Sequence, residues 1–112
     1  MTSKYELLRN YLLAFSEKDL HALESMFSDN IILHDWDVIA TGKTEVLAVN
    51  KHIFDNVGKI LINIDNFSED RTDSNLMFAQ IEVIIDGETI NVVDVIKFDK
   101  NDKITKISAY RQ

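Results

Sequence analysis

The hydrophobic period of this chain changes once, near Gly58, and that change dictates its architecture. Before Gly58 apolar residues recur mostly at helical spacing; beyond it they alternate with polar ones over long runs. Helices with one apolar stripe followed by strands with one apolar face bury both only by lying against each other. The 112 residues suffice for a single domain, 1–112, with one core.

Ser3-Lys4-Tyr5-Glu6 has capping-box spacing, and Leu8, Tyr11, Leu12 and Phe15 follow on one helical face, widened by Leu7 and Ala14. This helix is expected to end near Glu17. Asp19 caps a shorter helix that buries Leu20, Leu23, Met26 and Phe27 and stops at Ser28-Asp29-Asn30. Residues 31–39 read as one strand from their β-branched and aromatic content. A third helix starts around Thr41-Gly42-Lys43-Thr44. It carries Val46, Val49, Ile53 and Val57 on one face with Leu47, Asn50 and Phe54 alongside, and Gly58 terminates it.

Strands are then expected at Ile60–Phe67, Leu76–Ile85, Thr89–Phe98 and Ile104–Tyr110. They are separated by the polar loop 68–75, the Asp86-Gly87 hairpin signal and the turn 99–102. The reading is α+β in the order α-α-β-α-β-β-β-β. It predicts a curved, mostly antiparallel sheet, covered by three helices from the N-terminal half and enclosing a pocket.

Twelve basic against nineteen acidic residues give a net charge of −7, and no Lys/Arg run offsets it, so nucleic acid is not an expected partner. The chain has no cysteine for a disulfide or a thiolate site. No apolar stretch approaches the roughly 18–20 residues that span a bilayer, and the opening MTSKYELLRN lacks a signal-like pattern. The expectation is a cytoplasmic protein without a membrane partner.

Three residues stand out chemically. Alternation puts Asp94 in an apolar row with Val92, Ile96 and Phe98, where a carboxyl must be hydrogen-bonded, paired or protonated. Asp35 shares a strand face with Leu33 and Asp37 near a strand end, where it serves either as a general base or as an ordinary solvated carboxylate. Tyr11 lies on the apolar stripe of the first helix, so its ring is core and its hydroxyl needs a partner. His34 and Trp36 are expected to point away from Asp35. That argues against a His34, Asp35, Asp37 metal site, and neither a metal nor a cofactor is expected.

The element order, with Tyr11-Leu12-Leu13-Ala14-Phe15, Lys18-Asp19-Leu20 and Met26-Phe27-Ser28-Asp29-Asn30, resembles the nuclear transport factor 2-like superfamily over nearly the whole chain. That group includes ketosteroid isomerases and SnoaL-like polyketide cyclases. The resemblance implies a cone-shaped sheet closed by three helices over a pocket for a small apolar molecule, and a homodimer. In the isomerases a first-helix tyrosine, a base aspartate on the first strand and a second aspartate deep in the sheet form the site. These fall on Tyr11, on Asp35 within Leu33-His34-Asp35-Trp36, and on Asp94 within Val93-Asp94-Val95-Ile96-Lys97-Phe98. Two positions depart: Trp36 stands where proline usually follows the base, and Asn50 and Phe54 stand where another pocket tyrosine is expected. Leu33, Asn50, Phe54, Phe78 and Val92 are the expected substrate-binding residues.

Two functions follow from this reading. One is an isomerase or cyclase that abstracts a proton beside a carbonyl, with Asp35 as base and Tyr11 and Asp94 holding the oxyanion. The other is a non-catalytic ligand-binding or dimerisation module, with the cone filled by Phe78, Trp36 or Phe54.

Overall fold

The computed structural model describes residues 2–112. Two helices, α1 (Lys4–Ser16) and α2 (Leu20–Met26), lead into β1 (Phe27–His34) and β2 (Ile39–Thr41), and α3 (Lys43–Asn56) follows. Four long strands complete the chain: β3 (Ile60–Glu69), β4 (Leu76–Ile85), β5 (Glu88–Phe98) and β6 (Ile104–Arg111). All six strands form one curved, unclosed sheet in the order β2-β1-β6-β5-β4-β3, antiparallel except where β1 meets β6. The α+β cone expected from the sequence is the observed fold.

Local chemistry accounts for most element boundaries. The Ser3 hydroxyl accepts the Glu6 N–H at 3.1 Å and the Asp19 carboxylate accepts the Ala22 N–H at 3.0 Å, so each of the first two helices starts on a capped end. Asp86 and Gly87 both take positive φ, 51° and 84°, which joins β4 to β5 by a two-residue turn whose twist suits the strands. The Lys18 ammonium donates to the carbonyls of Phe54 (3.1 Å) and Val57 (2.6 Å). The α1–α2 turn is thereby tied to the C-terminal end of α3, where a cation and a donor are both favourable.

The structure corrects three local expectations. Residues 31–39 are not one strand but two, β1 and β2, paired antiparallel through Leu33↔Ala40 and His34↔Ile39. Asp35 makes the break: its Oδ1 accepts the N–H groups of Asp37 (2.8 Å) and Val38 (2.7 Å), and its own N–H donates to the Val38 carbonyl (2.9 Å). Such an aspartate-seeded turn competes successfully with extended pairing. Ser28-Asp29-Asn30 lie within β1, where they bulge out of register, with Phe27 paired to Ile104 and Ile32 to Lys106. Gly58 does not cap α3 in a left-handed conformation; the cap is Val57, in extended backbone. Glycine suits this position because its N–H donates to Asp86 Oδ1 at 3.1 Å, and a Cβ would push that side-chain oxygen aside.

The helices lie on the concave face, α1 across β3 and β4 and α3 across β1 and β2. Leu8, Leu23, Phe27, Ile31, Met77 and Ile96 are fully buried there. Each contributes about 1.5–3 kcal/mol by leaving water. Among the described residues, no helix is long and apolar enough to cross a membrane.

Candidate functional site

Packing on the concave face is incomplete. A partly open cavity of about 160 Å³ remains between α1, α3 and the sheet. Its walls are apolar side chains such as Phe15, Leu33, Ile53, Val83, Ile90 and Val92. Among the described residues, those in its lining with polar side-chain atoms are Tyr11, Asp35, Asn50, Asp94 and Trp36.

Helical spacing carries Tyr11 into the chamber, since Leu8 and Leu12 on the same stripe are buried against the sheet. Its ring lies 6.3 Å from that of Phe27 and is 6% exposed. Asp94 arrives by strand alternation between buried Val92 and Ile96, as expected. Its cross-strand neighbours are Ala79 on β4 and Ala109 on β6, so neither adjoining strand sets a large side chain beside the carboxyl. Asp35 continues the inward parity of Ile31 and Leu33 one step beyond the end of β1. Its Oδ1 is committed to the turn, which leaves Oδ2 for other partners.

Burial pushes the Asp94 carboxyl up to about 7, and the negative charge of Asp35 adds to the shift. Tyr11 is also held above its ordinary value, first by burial and then by the charges of Asp94 and Asp35. No hydrogen bond contributes to either shift. Below about pH 7 a protonated carboxylic acid and a neutral phenol therefore coexist in the chamber. Both have a proton to donate, and a second carboxyl group, that of Asp35, lines the same cavity.

Leu33, Asn50 and Val92 line the cavity, as the sequence reading expected. Phe54 does not; it is buried behind the wall, with its ring edge-on to Phe15 at 5.1 Å. Phe78 is on the opposite face of the sheet, because its neighbours Met77 and Ala79 take the inward positions of β4. Asp37 is exposed in the turn rather than on a face shared with Asp35. Trp36 was expected to point away, yet the turn brings it to the chamber, where Arg111 lies over its ring at 5.9 Å. Trp36 and Ala109 are the site residues that alternation missed. Ala109 could have been found as the small residue facing Asp94, had the register of β5 and β6 been known.

An α+β cone with helices over a partly open chamber defines a protein of nuclear transport factor 2-like architecture. Within it the chain belongs to the SnoaL-like domain family, whose model matches residues 8–107. Solved structures agree on the fold. A nuclear transport factor 2-like protein of unknown function from Cytophaga hutchinsonii superposes with a TM-score of 0.82 at 13% identity, covering 100% of this chain and 92% of its own. A proposed isomerase of the SnoaL-like family from Agrobacterium tumefaciens gives 0.81 at 16% identity, over 100% and 99% of the two chains. A proposed SnoaL-like polyketide cyclase from Shewanella denitrificans gives 0.79 at 19% identity, over 96% and 89%. No match was found among curated proteins.

Proposed function

We propose that this protein binds a small apolar carbonyl compound in the chamber and transfers a proton beside its carbonyl, as an isomerase or cyclase. The observation that supports this is the convergence of Tyr11, Asp94 and Asp35 on one apolar cavity, with no side-chain hydrogen bond to Tyr11 or Asp94 among the described residues. Groups serving only the fold would satisfy each other; these are left for a ligand.

In the proposed step, Asp35 Oδ2 takes a proton from the carbon next to the carbonyl. The freed electron pair moves onto the carbonyl oxygen, and the Tyr11 hydroxyl and protonated Asp94 donate hydrogen bonds to that oxyanion. In an isomerase Asp35 returns the proton to a different carbon. In a cyclase the enolate returns to the ketone as its carbon attacks a second carbonyl of the same molecule; a carbon–carbon bond forms, the π bond of that carbonyl breaks, and its oxygen takes the proton back from Asp35. No cofactor is required for either. The cavity is close to the roughly 150 Å³ that holds a benzene-sized ring, so the buried part of the substrate is about one ring. The reading includes a cytoplasmic homodimer, checked by sedimentation of the purified chain.

The test is exchange of the protons beside the carbonyl of 3-cyclohexen-1-one in D2O, with its conversion to the conjugated ketone, followed by NMR. Enzyme-dependent exchange that disappears in Asp35→Asn supports the reading. Absence of exchange, with phenols still bound, would make the chamber a binding site only.

A further inference from the structure

Asn50 is a polar group that the proton-transfer step leaves unused. It is 4% exposed on α3 and lines the chamber. Its Nδ2 is shut off from solvent and has no hydrogen-bond partner among the described residues. It stands one turn after Val46 and one turn before Phe54, both buried, so the helix holds it in this position. An unsatisfied buried amide donor is costly, and a leucine of similar size would carry no such cost.

We infer that Asn50, with its amide turned by a half-rotation toward the chamber, donates through Nδ2 to a second oxygen of the bound compound. The substrate class is then narrower than an apolar ketone. It is a one-ring carbonyl compound with a second hydrogen-bond acceptor, a hydroxyl or another carbonyl, placed away from the oxygen held by Tyr11 and Asp94. This assignment rests on the proton-transfer reading for the first oxygen, and Asn50 acts as a specificity residue.

The experiment compares phenol with catechol, resorcinol and hydroquinone by NMR titration of the wild-type chain and of Asn50→Leu, with Asn50→Ala as the second variant should the leucine variant not fold. The wild type should bind at least one diol about 5- to 10-fold more tightly than phenol, beyond the statistical advantage of two equivalent hydroxyls. Asn50→Leu should lose the diol preference, measured as the ratio of diol to phenol affinity, and melt no lower than wild type. A diol preference that survives both substitutions, or that the wild type lacks, overturns the inference alone. So does a fall in the melting temperature of Asn50→Leu, which would reveal a structural partner for the amide. Failure of phenol itself to bind the wild type overturns the oxyanion reading and this inference together.

Discussion

Asp94 and Asp35 lie at one level of the sheet with Ala109 between them. Asp94 pairs with Ala109 on β6, and Asp35 follows His34, which pairs with Ser108 on the other edge of that strand. Two strand spacings put the backbones of the two acids roughly 10 Å apart. At that distance, across an apolar cavity, the charge of Asp35 reaches Asp94 and opposes its ionisation.

Asp94 should make stability fall as pH rises. Its folded value of about 7 lies above the ordinary 3.8, so between those values the native state holds a proton that the unfolded chain has lost. The slope of unfolding free energy with pH is then negative, and the penalty is complete above the folded value. Asp94→Asn removes the titration. Its stability advantage over wild type should grow by about 2–3 kcal/mol between pH 5 and pH 8. Urea melts at the two pH values measure this; equal gaps would mean that Asp94 is not buried as described.

Replacing Asp35 separates charge from turn geometry. Asp35→Asn keeps an oxygen to accept the N–H groups of Asp37 and Val38, so stability should change by less than about 1 kcal/mol. The lost charge should move the Asp94 midpoint downward, read from the carboxyl carbon shift in an NMR pH titration. Asp35→Ala, which loses the turn as well, should cost about 1–2 kcal/mol. An Asp94 midpoint indifferent to Asp35→Asn would disprove the coupling.

Filling the chamber should block binding while leaving the fold. Ala109 lines the cavity beside Asp94, and leucine there would occupy the space a ring needs. We expect Ala109→Leu to abolish phenol binding at a stability cost of about 1–3 kcal/mol from overpacking. Far-ultraviolet circular dichroism and ligand titration on the same sample test both halves; undiminished binding would place the ligand elsewhere.

Gly58 and Asp86 should be energetically coupled. A methyl group at position 58 would displace the Asp86 carboxylate from the Gly58 N–H. Gly58→Ala is expected to destabilise by about 1 kcal/mol in wild type and by much less in an Asp86→Ala background. A double-mutant cycle with no interaction energy would refute the contact.

What the sequence could determine was local or periodic. Ser3 and Asp19 announced two helix starts by short-range capping, and Asp86-Gly87 announced a hairpin because the required backbone is written in two residues. Tyr11 and Asp94 could be placed inward because helical and strand periods leave little choice once neighbouring Leu8, Leu12, Val92 and Ile96 must be buried. The turn at Asp35 was out of reach: residues 31–39 have strand composition throughout, and the competing aspartate turn differs by only a few hydrogen bonds. That one turn decided that Trp36 faces the chamber. Phe78 was misplaced, since an aromatic residue on a strand suits either face and only its register between Met77 and Ala79 excludes it from the concave side. The parallel pairing of β1 with β6 was likewise decided by tertiary structure. It joins segments about seventy-five residues apart, which no local period encodes, and it brings Asp35 to the level of Asp94.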